Sequence, residues 1–470
     1  AAAFTRYGDS VTRYAPPKST SLETATIVKI SKILYLPIEE AVRDLDARIL
    51  LALHAIQAGW EVVFGQQWLL THNAAHMPPG VFLFKGANRI QAQWMQDCAR
   101  HGHLVTACDE EATPVASHSI LQKNIDPAGF KAMRYFFTQG PNHHRALLEK
   151  FPDAAHMFRM VGSTRLDLLR ARFRLAREDR VKELRDRYGD FILINTNFGY
   201  ANSNWGGPAQ FEEIMKTVGF YDPEIESDRK MVQDRYEFEK TTMDAFMAML
   251  PKLAERHPDI NIIVRPQPGE DKALGEREVN SKIPNAEALF DGSVVDWILA
   301  SRLLIQNSCT TGIEAAFLNK PCVSFAPFRN PFFDIYTANR VSRLIPTEGE
   351  LLSVVDKLVA SGKDSVSEYF ARPEDFSDYF YLEDGKLISQ ILFEQIEKAA
   401  SEHTLDDNRW APGPHYRQRN RMLDWQARKF NKNLKTMGLD LEKVARGLAP
   451  KGEIKLQEIG TSLFMLSSKT

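Results

Sequence analysis

The sequence predicts an α/β protein built from two halves, each with its own parallel sheet. Three observations carry this. Short apolar runs of strand length alternate with segments whose apolar residues fall at helical spacing, the order that builds a parallel sheet with right-handed crossovers. The alternation stops at a charged stretch near residue 165 and then restarts. The chain also has 470 residues, more than one ordinary core accommodates.

In the first half, residues 32–38 (KILYLPI) form a short apolar run, as expected of a strand covered on both faces. Residues 46–60 carry apolar positions at helical spacing and stop at Gly59. Residues 61–65 and 80–86 (GVFLFKG) read as the next strands, with a second helix over 89–102. Residues 103–112 (HLVTACDEEA) form a strand that runs out into acids, and 134–140 and 157–163 are two more. Residues 165–189 read as one long, charged helical connector. In the second half, strands are expected within 190–199, 260–268, 303–308 and 322–327, with helices in 210–259, before residue 303, and over 348–362. The domain expectation is a disordered lead over 1–30, one half over 31–165, a second over 166–400 and a basic helical tail over 401–470.

Composition is that of a soluble globular protein, 44% hydrophobic and 26% charged, and a net charge of -2 gives no footprint for nucleic acid. Cys98, Cys108, Cys309 and Cys322 form no C-x-x-C pair, which fits a reduced, cytoplasmic protein better than a disulfide scaffold or zinc site. No run of 18 apolar residues predicts a membrane span. The first residues lack the apolar centre of a secretion signal. The tail differs from the rest: residues 401–470 hold 13 basic against 8 acidic residues. Leu423, Ala427, Phe430, Leu434 and Met437 fall on one helical face ringed by basic residues. That face predicts packing on the protein or a second subunit, or peripheral contact with anionic lipid at the inner membrane.

Two motifs in the second half suggest chemistry. In residues 303–325 (LLIQNSCTTGIEAAFLNKPCVSF) a strand ends in Asn307, Ser308, Cys309, Thr310, Thr311 and Gly312, and a helix is expected from Ile313. Ligands of open α/β sheets sit beyond the carboxyl ends of the strands. Free N–H groups, hydroxyls and a glycine allowing close approach suit an anion, most naturally phosphate, and Glu314 could cap the amides or meet ribose hydroxyls. An ordinary hydroxyl N-cap would look the same. In residues 264–271 (VRPQPGED) the prolines stiffen a loop that presents Arg265, a residue able to pair with phosphate or carboxylate.

The ordered string RP-x-P-x-E, DWILAS and QNSCTTGIEAAFLNKPCVSF, with VTACDEEA and MVGSTRLDLLR in the first half, resembles the GT-B glycosyltransferases of bacterial surface carbohydrate biosynthesis. Those that use CMP-activated ulosonic acids such as Kdo are the nearest in pattern. The likeness covers most of residues 32–345. It implies two Rossmann-like domains facing a cleft, and transfer to a saccharide or lipid-linked acceptor in lipopolysaccharide or capsule synthesis. It further implies that Ser308, Thr310 and Thr311 hold the CMP phosphate and Glu314 the ribose. One position departs: the family's loop usually reads R-P-H-P, and Gln267 can donate a hydrogen bond to the donor but cannot serve as an acid or base.

Such a transfer needs a stabilised phosphate leaving group, a placed acceptor hydroxyl and a carboxylate near the anomeric carbon. Cations and backbone donors can stabilise a single phosphate, so no metal or other cofactor is expected. Asp44-Leu45-Asp46 reads as a helix start. Asp109, Glu110 and Glu111 follow a strand end and should face the cleft. Their mutual repulsion can raise one pKa, and one of them could be an inverting base or a retaining nucleophile, although solvated loop acids would have the same sequence. The resemblance favours the retaining type, with Glu111 and Glu110 ahead of Asp109. Lys85, Arg165 and Arg265 are the candidates for the sugar carboxylate. Asn197, in the Asn- and Gly-rich stretch 195–207, could donate to the donor. His143-His144 reads as structural or acceptor-side. Other readings are another CMP-nonulosonate of the sialic acid type, a CDP-polyol phosphate donor, a UDP-sugar epimerase or a sugar-binding protein. No G-x-G-x-x-G follows the first strand, which argues against a dehydrogenase.

Overall fold

The computed structural model describes residues 29–468, apart from 205, 207, 218–220, 362–368, 370–375, 384, 407 and 413–423. Residues 1–28, most of the expected lead, lie outside the described residues, while Lys29–Ser31 already pairs in parallel with Thr404–Asp406.

Among the described residues, the first sheet has eight strands. From one edge to the other they are Ile454–Gly460, Leu463–Ser468, Glu61–Gln66, Ile33–Ile38, Val81–Phe84, Leu104–Cys108, Met133–Thr138 and Phe158–Met160. The six native to the first half are parallel, and the hairpin 454–468 is antiparallel. Side chains alternate across the sheet as strand geometry requires. Leu34 and Leu36 pack with the Ala41–Gln57 helix, while Ile33 and Tyr35 join Phe82, Phe84 and Met95 on the opposite face. Burial on both faces is why these strands read as continuous apolar runs.

The second sheet is all parallel, in the order Ala286–Ala288, Asn261–Arg265, Phe191–Asn195, Leu303–Gln306, Cys322–Phe325 and Arg343–Ile345. Ile192 and Ile194 face a core with Phe246 and Leu250 of the Glu226–Arg256 helix. Phe191 and Leu193 face Trp297 and Ile298. The two edge strands were not foreseen, because three-residue strands are too short to show a period.

Two expectations are corrected. The connector is not one helix: Thr164–Leu169 is a 3-10 turn, Arg170 is extended, Ala171–Arg174 is one short helical turn, and the longer helix runs over Glu178–Tyr188. Tertiary contacts override its helical composition here. The buried Asp167 carboxylate accepts from the Ile388 and Ser389 N–H groups at 2.9 and 2.7 Å, which pins the turn to the start of the Ile388–Ser401 helix.

The tail is not helical throughout, and Phe430 and Met437 do not lie on one continuous helix. Asp424–Lys429 and Leu434–Leu448 are separate helices, the second opened by a capping box between Asn433 and Thr436. The break resets the helical phase, so Phe430 and Met437 are buried in the first-half core while Leu434 is 44% exposed. Leu423 lies outside the described residues. Phe430, Met437 and Val444 of the tail therefore pack on the protein's own fold, in the core that contains the Ala41–Gln57 helix, while Leu434 and Leu439 are exposed. Among the described residues no helix is long and apolar enough to cross a membrane.

Gly65 permits the hairpin to dock. A Cβ there would stand 2.1 Å from the Ser462 carbonyl oxygen. Gly65→Ala is expected to cost about 1–3 kcal/mol, the usual range for overpacking, and urea denaturation reads it as a lower midpoint. An unchanged midpoint would mean the hairpin yields without loss.

Candidate functional site

The polar groups of the two halves gather at the carboxyl ends of the strands. In the first half, Glu39 follows Ile33–Ile38, Lys85 follows Val81–Phe84, and Asp109, Glu110 and Glu111 follow Leu104–Cys108. These three strands are adjacent, which brings residues 39, 85 and 111 together.

The three acids have different environments. Glu110 turns into the fold, where its Oε1 lies 3.2 Å from Arg48 Nη2 and both side chains are almost fully buried. Asp109 is also buried; it accepts from the Glu111 N–H at 3.0 Å and from Asn124 at 3.4 Å. Burial first, and the Glu111 carboxylate second, push its carboxyl up to about 7. Glu111 is the outward one, with a side chain 51% exposed. Its carboxylate lies 2.9 Å from Arg43 and 3.8 Å from Lys85, and Arg43 above all holds it below the ordinary range. Lys85 also pairs with Glu39, which accepts from Lys429 at 2.8 Å. Burial is the largest influence on the Lys85 ammonium and would lower it, but Glu39, Glu111 and Asp44 together outweigh it and keep the lysine charged. Arg43 pairs with the buried Asp44 at 2.8 Å. His143 is buried, takes the Gln139 N–H at 3.3 Å and is pushed down to about 3 by burial, a neutral structural group.

In the second half, Ser308 stands just beyond the Leu303–Gln306 strand with φ 55°, a left-handed conformation that costs a non-glycine residue about 1–3 kcal/mol unless its surroundings enforce it. They do. Asn339 donates to Ser308 Oγ at 2.9 Å and Asn197 donates to the Ser308 carbonyl at 3.1 Å. Asn307 accepts from the Asn197 N–H at 2.8 Å, and Gln306 accepts from the Cys309 N–H at 2.7 Å. The helix that follows is short, Thr311–Phe317, with Thr310 as its N-cap, so it begins two residues earlier than expected. Thr311 Oγ1 and Glu314 Oε2 are buried and find no partner among the described residues. Burial raises the Glu314 carboxyl, against the pull of Arg165.

Several sequence candidates take other places. Arg265 is buried, its guanidinium donates to the Asp291 and Gly292 carbonyls, and it lies over the Phe290 and Trp297 rings. Burial pushes it down to about 10. Its cationic head holds the loop before the Val294–Ala300 helix instead of facing outward to an anion. Gly312 does give close approach, but toward the interior: a Cβ would meet Gln306 and Ser342 at 3.0 and 3.1 Å. The Cys309 thiol is also inward and raised by burial. Gln267 lies against Gly199, where a Cβ would stand 2.5 Å from its amide nitrogen.

Glu270, quoted only as the last letter of the proline motif, organises this loop pair. It is buried and accepts from Thr196 Oγ1 at 2.9 Å, the Phe198 N–H at 3.0 Å and the Gln267 N–H at 3.2 Å. Burial pushes its carboxyl up to about 7. Apart from the expected strand end 325–327, residues 325–339 carry no expectation from the sequence. With Asn197, Asn307, Ser308 and the Glu226–Arg256 helix they line a pocket that is open to solvent. Phe238, Phe325, Phe333 and Tyr336 are among its walls, and Arg235, paired with Glu239 at 2.7 Å, lines it too. These positions are scattered over a hundred residues without period or motif, so no sequence signal marks them.

The halves meet beside these clusters. Arg165, in the 3-10 turn after the first sheet, lies 3.4 Å from Glu314. The loop after the acids pairs with the pocket loop: Ala116 donates to the Ile335 carbonyl at 2.7 Å and Thr337 to the Pro114 carbonyl at 2.8 Å. Asp109–Glu111 and Ser308–Glu314 therefore flank one interface.

No protein-family model and no curated protein matches the chain. Among solved structures, it is similar to the wall teichoic acid polymerase TagF, with 11% identity over 79% of this chain and 89% of that one and a TM-score of 0.48. It is also similar to the UDP-GlcNAc 2-epimerase of Methanocaldococcus jannaschii, with 12% identity over 78% and 99% of the two chains and a TM-score of 0.48. The S. aureus MnaA–UDP structure overlaps with 13% identity over 79% and 97% and a TM-score of 0.47. What the chain can do follows from its own residues.

Proposed function

We propose that this protein is a GT-B glycosyltransferase that moves a ulosonic acid, Kdo first among them, from its CMP-activated donor to a saccharide or lipid-linked acceptor. The observation that carries the reading is the pairing of unlike clusters across the interface. On one side are strained Ser308 and the unpartnered Thr311 and Glu314 oxygens, polar groups that suit a nucleoside phosphate. On the other, Lys85, Arg43 and the half-exposed Glu111 present cations beside a carboxylate. A donor with a phosphate at one end and a carboxylated sugar at the other fits hydroxyl donors on one side and cations on the other. In this reading Glu111 acts at the anomeric carbon, Lys85 and Arg165 receive the sugar carboxylate, and Ser308, Thr310 and Thr311 receive the phosphate. The transfer takes place in the cytoplasm, with the acceptor at the inner membrane face.

Thermal shift against CMP, CDP, UMP, UDP, GDP and NAD tests the donor class. CMP at a hundredfold excess over Kd is expected to raise the midpoint by about 2–4 °C, and Ser308→Ala with Thr311→Ala is expected to abolish the rise. Stabilisation by UDP would turn the reading to the epimerase class. Stabilisation by CDP alone would turn it to a CDP-polyol phosphate donor.

A further inference from the structure

We propose that Lys429, from the C-terminal tail, is a positioning residue of the first-half cluster, holding Glu39 so that Lys85 stays available to an anionic group of the substrate. This rests on the reading of Lys85 given above. Glu39 sits between two ammonium groups: Lys429 Nζ lies 2.8 Å from its Oε1, and Lys85 Nζ pairs with its Oε2. Lys85 in turn lies 3.8 Å from Glu111. With Arg43 and Asp44 the cluster holds three cations and three anions, and the tail supplies one of the cations.

The position of Lys429 is built, not incidental. Phe430, the next residue, is 1% exposed and packs near Phe464 of the hairpin, with ring centroids 6.3 Å apart. The hairpin is itself a part of the first sheet, paired through Leu463 to Gly65. Lys443, further along the tail, lies 2.5 Å from Asp46 on the Ala41–Gln57 helix, the helix that carries Arg43 and Asp44. The tail is therefore fixed at three points around the cluster.

The chemistry follows from charge. Without Lys429, Glu39 has Lys85 as its remaining ammonium partner. The two then pair more tightly and the cluster becomes net negative. An anionic substrate group meets a weaker attraction, and the Lys85 amine becomes less reactive.

Two readouts test this with the full chain. Lys429→Met is expected to weaken CMP-Kdo binding about fivefold, the upper end for a partly exposed ion pair, while leaving CMP binding unchanged. Lys429→Arg is expected to restore it. Lys432→Met, which removes a lysine paired to Asp440 in the same segment, is expected to leave both ligands unaffected. Independently of any donor, trinitrobenzenesulfonate labelling of Lys85, followed by peptide mass spectrometry, is expected to slow in Lys429→Met. Labelling at an unchanged or faster rate would overturn the assignment, whatever the donor. Labelling that slows in a protein that ignores CMP would leave Lys429 in place and remove the CMP donor.

Discussion

Arg48→Ala is expected to destabilise the protein by about 3–5 kcal/mol, the cost of leaving a buried charge without its partner. Arg48 is 2% exposed on the Ala41–Gln57 helix, and Glu110 is 6% exposed at the end of the Leu104–Cys108 strand. The pair spans helix and sheet at 3.2 Å, and Arg48 also reaches Cys108 Sγ at 3.8 Å. Without Arg48, the Glu110 carboxylate keeps only the weak Cys108 thiol donor at 3.5 Å, and its Oε2 already has no partner among the described residues. Urea denaturation measures the loss. The double variant Arg48→Met with Glu110→Gln, which removes both charges, is expected to recover most of it. A loss below about 1 kcal/mol for Arg48→Ala, as for exposed pairs, would show that Glu110 reaches solvent and would return it to the catalytic candidates.

That pair shows what sequence could and could not tell. Most strands of both sheets were legible because burial on both faces leaves apolar runs, and a helix was legible near residues 46–60 because one buried face leaves helical spacing, although it runs over Ala41–Gln57 and so begins before Asp44. The acids after residue 108 were legible as a group at a strand end. Their separate fates were not, because the directions of Asp109, Glu110 and Glu111 depend on Arg48, Asn124 and Arg43, which approach from other elements. The raised carboxyl expected from mutual repulsion falls on Asp109, with burial as the larger cause. Arg265 failed for a related reason: a proline-flanked arginine looks exposed until Trp297 and Phe290 close over it. Glu270 was visible as a letter but not as a hub, since its partners Thr196 and Phe198 come from a loop about 70 residues away in sequence. The tail misled because an apolar stripe specifies burial but not the surface that provides it, and Asn433 interrupts the helix that the stripe presumed.

Glu111→Gln is expected to lower transfer about 10³-fold or more, within the range for removing a nucleophile or base whose role no neighbour can assume. The fold and CMP binding should be unchanged, since the side chain is 51% exposed and its partners Arg43 and Lys85 keep Asp44 and Glu39. The pH profile separates it from Asp109. Arg43 holds the folded Glu111 carboxyl below its ordinary value of 4.5, so it is ionised across neutral pH and loses its charge only in acid. Activity carried by Glu111 should be level on its acid side from pH 7 down to about pH 5, well above that folded pKa. Asp109 is pushed up to about 7, so a carboxylate role for it would make activity fall as pH drops through 7. An acid limb near 7 that disappears in Asp109→Asn, with Glu111→Gln still active, would move the chemistry to Asp109. A level acid side together with an inactive Glu111→Gln would place it on the outward acid, with Asp109 and Glu110 as the buried supports of the loop that presents it.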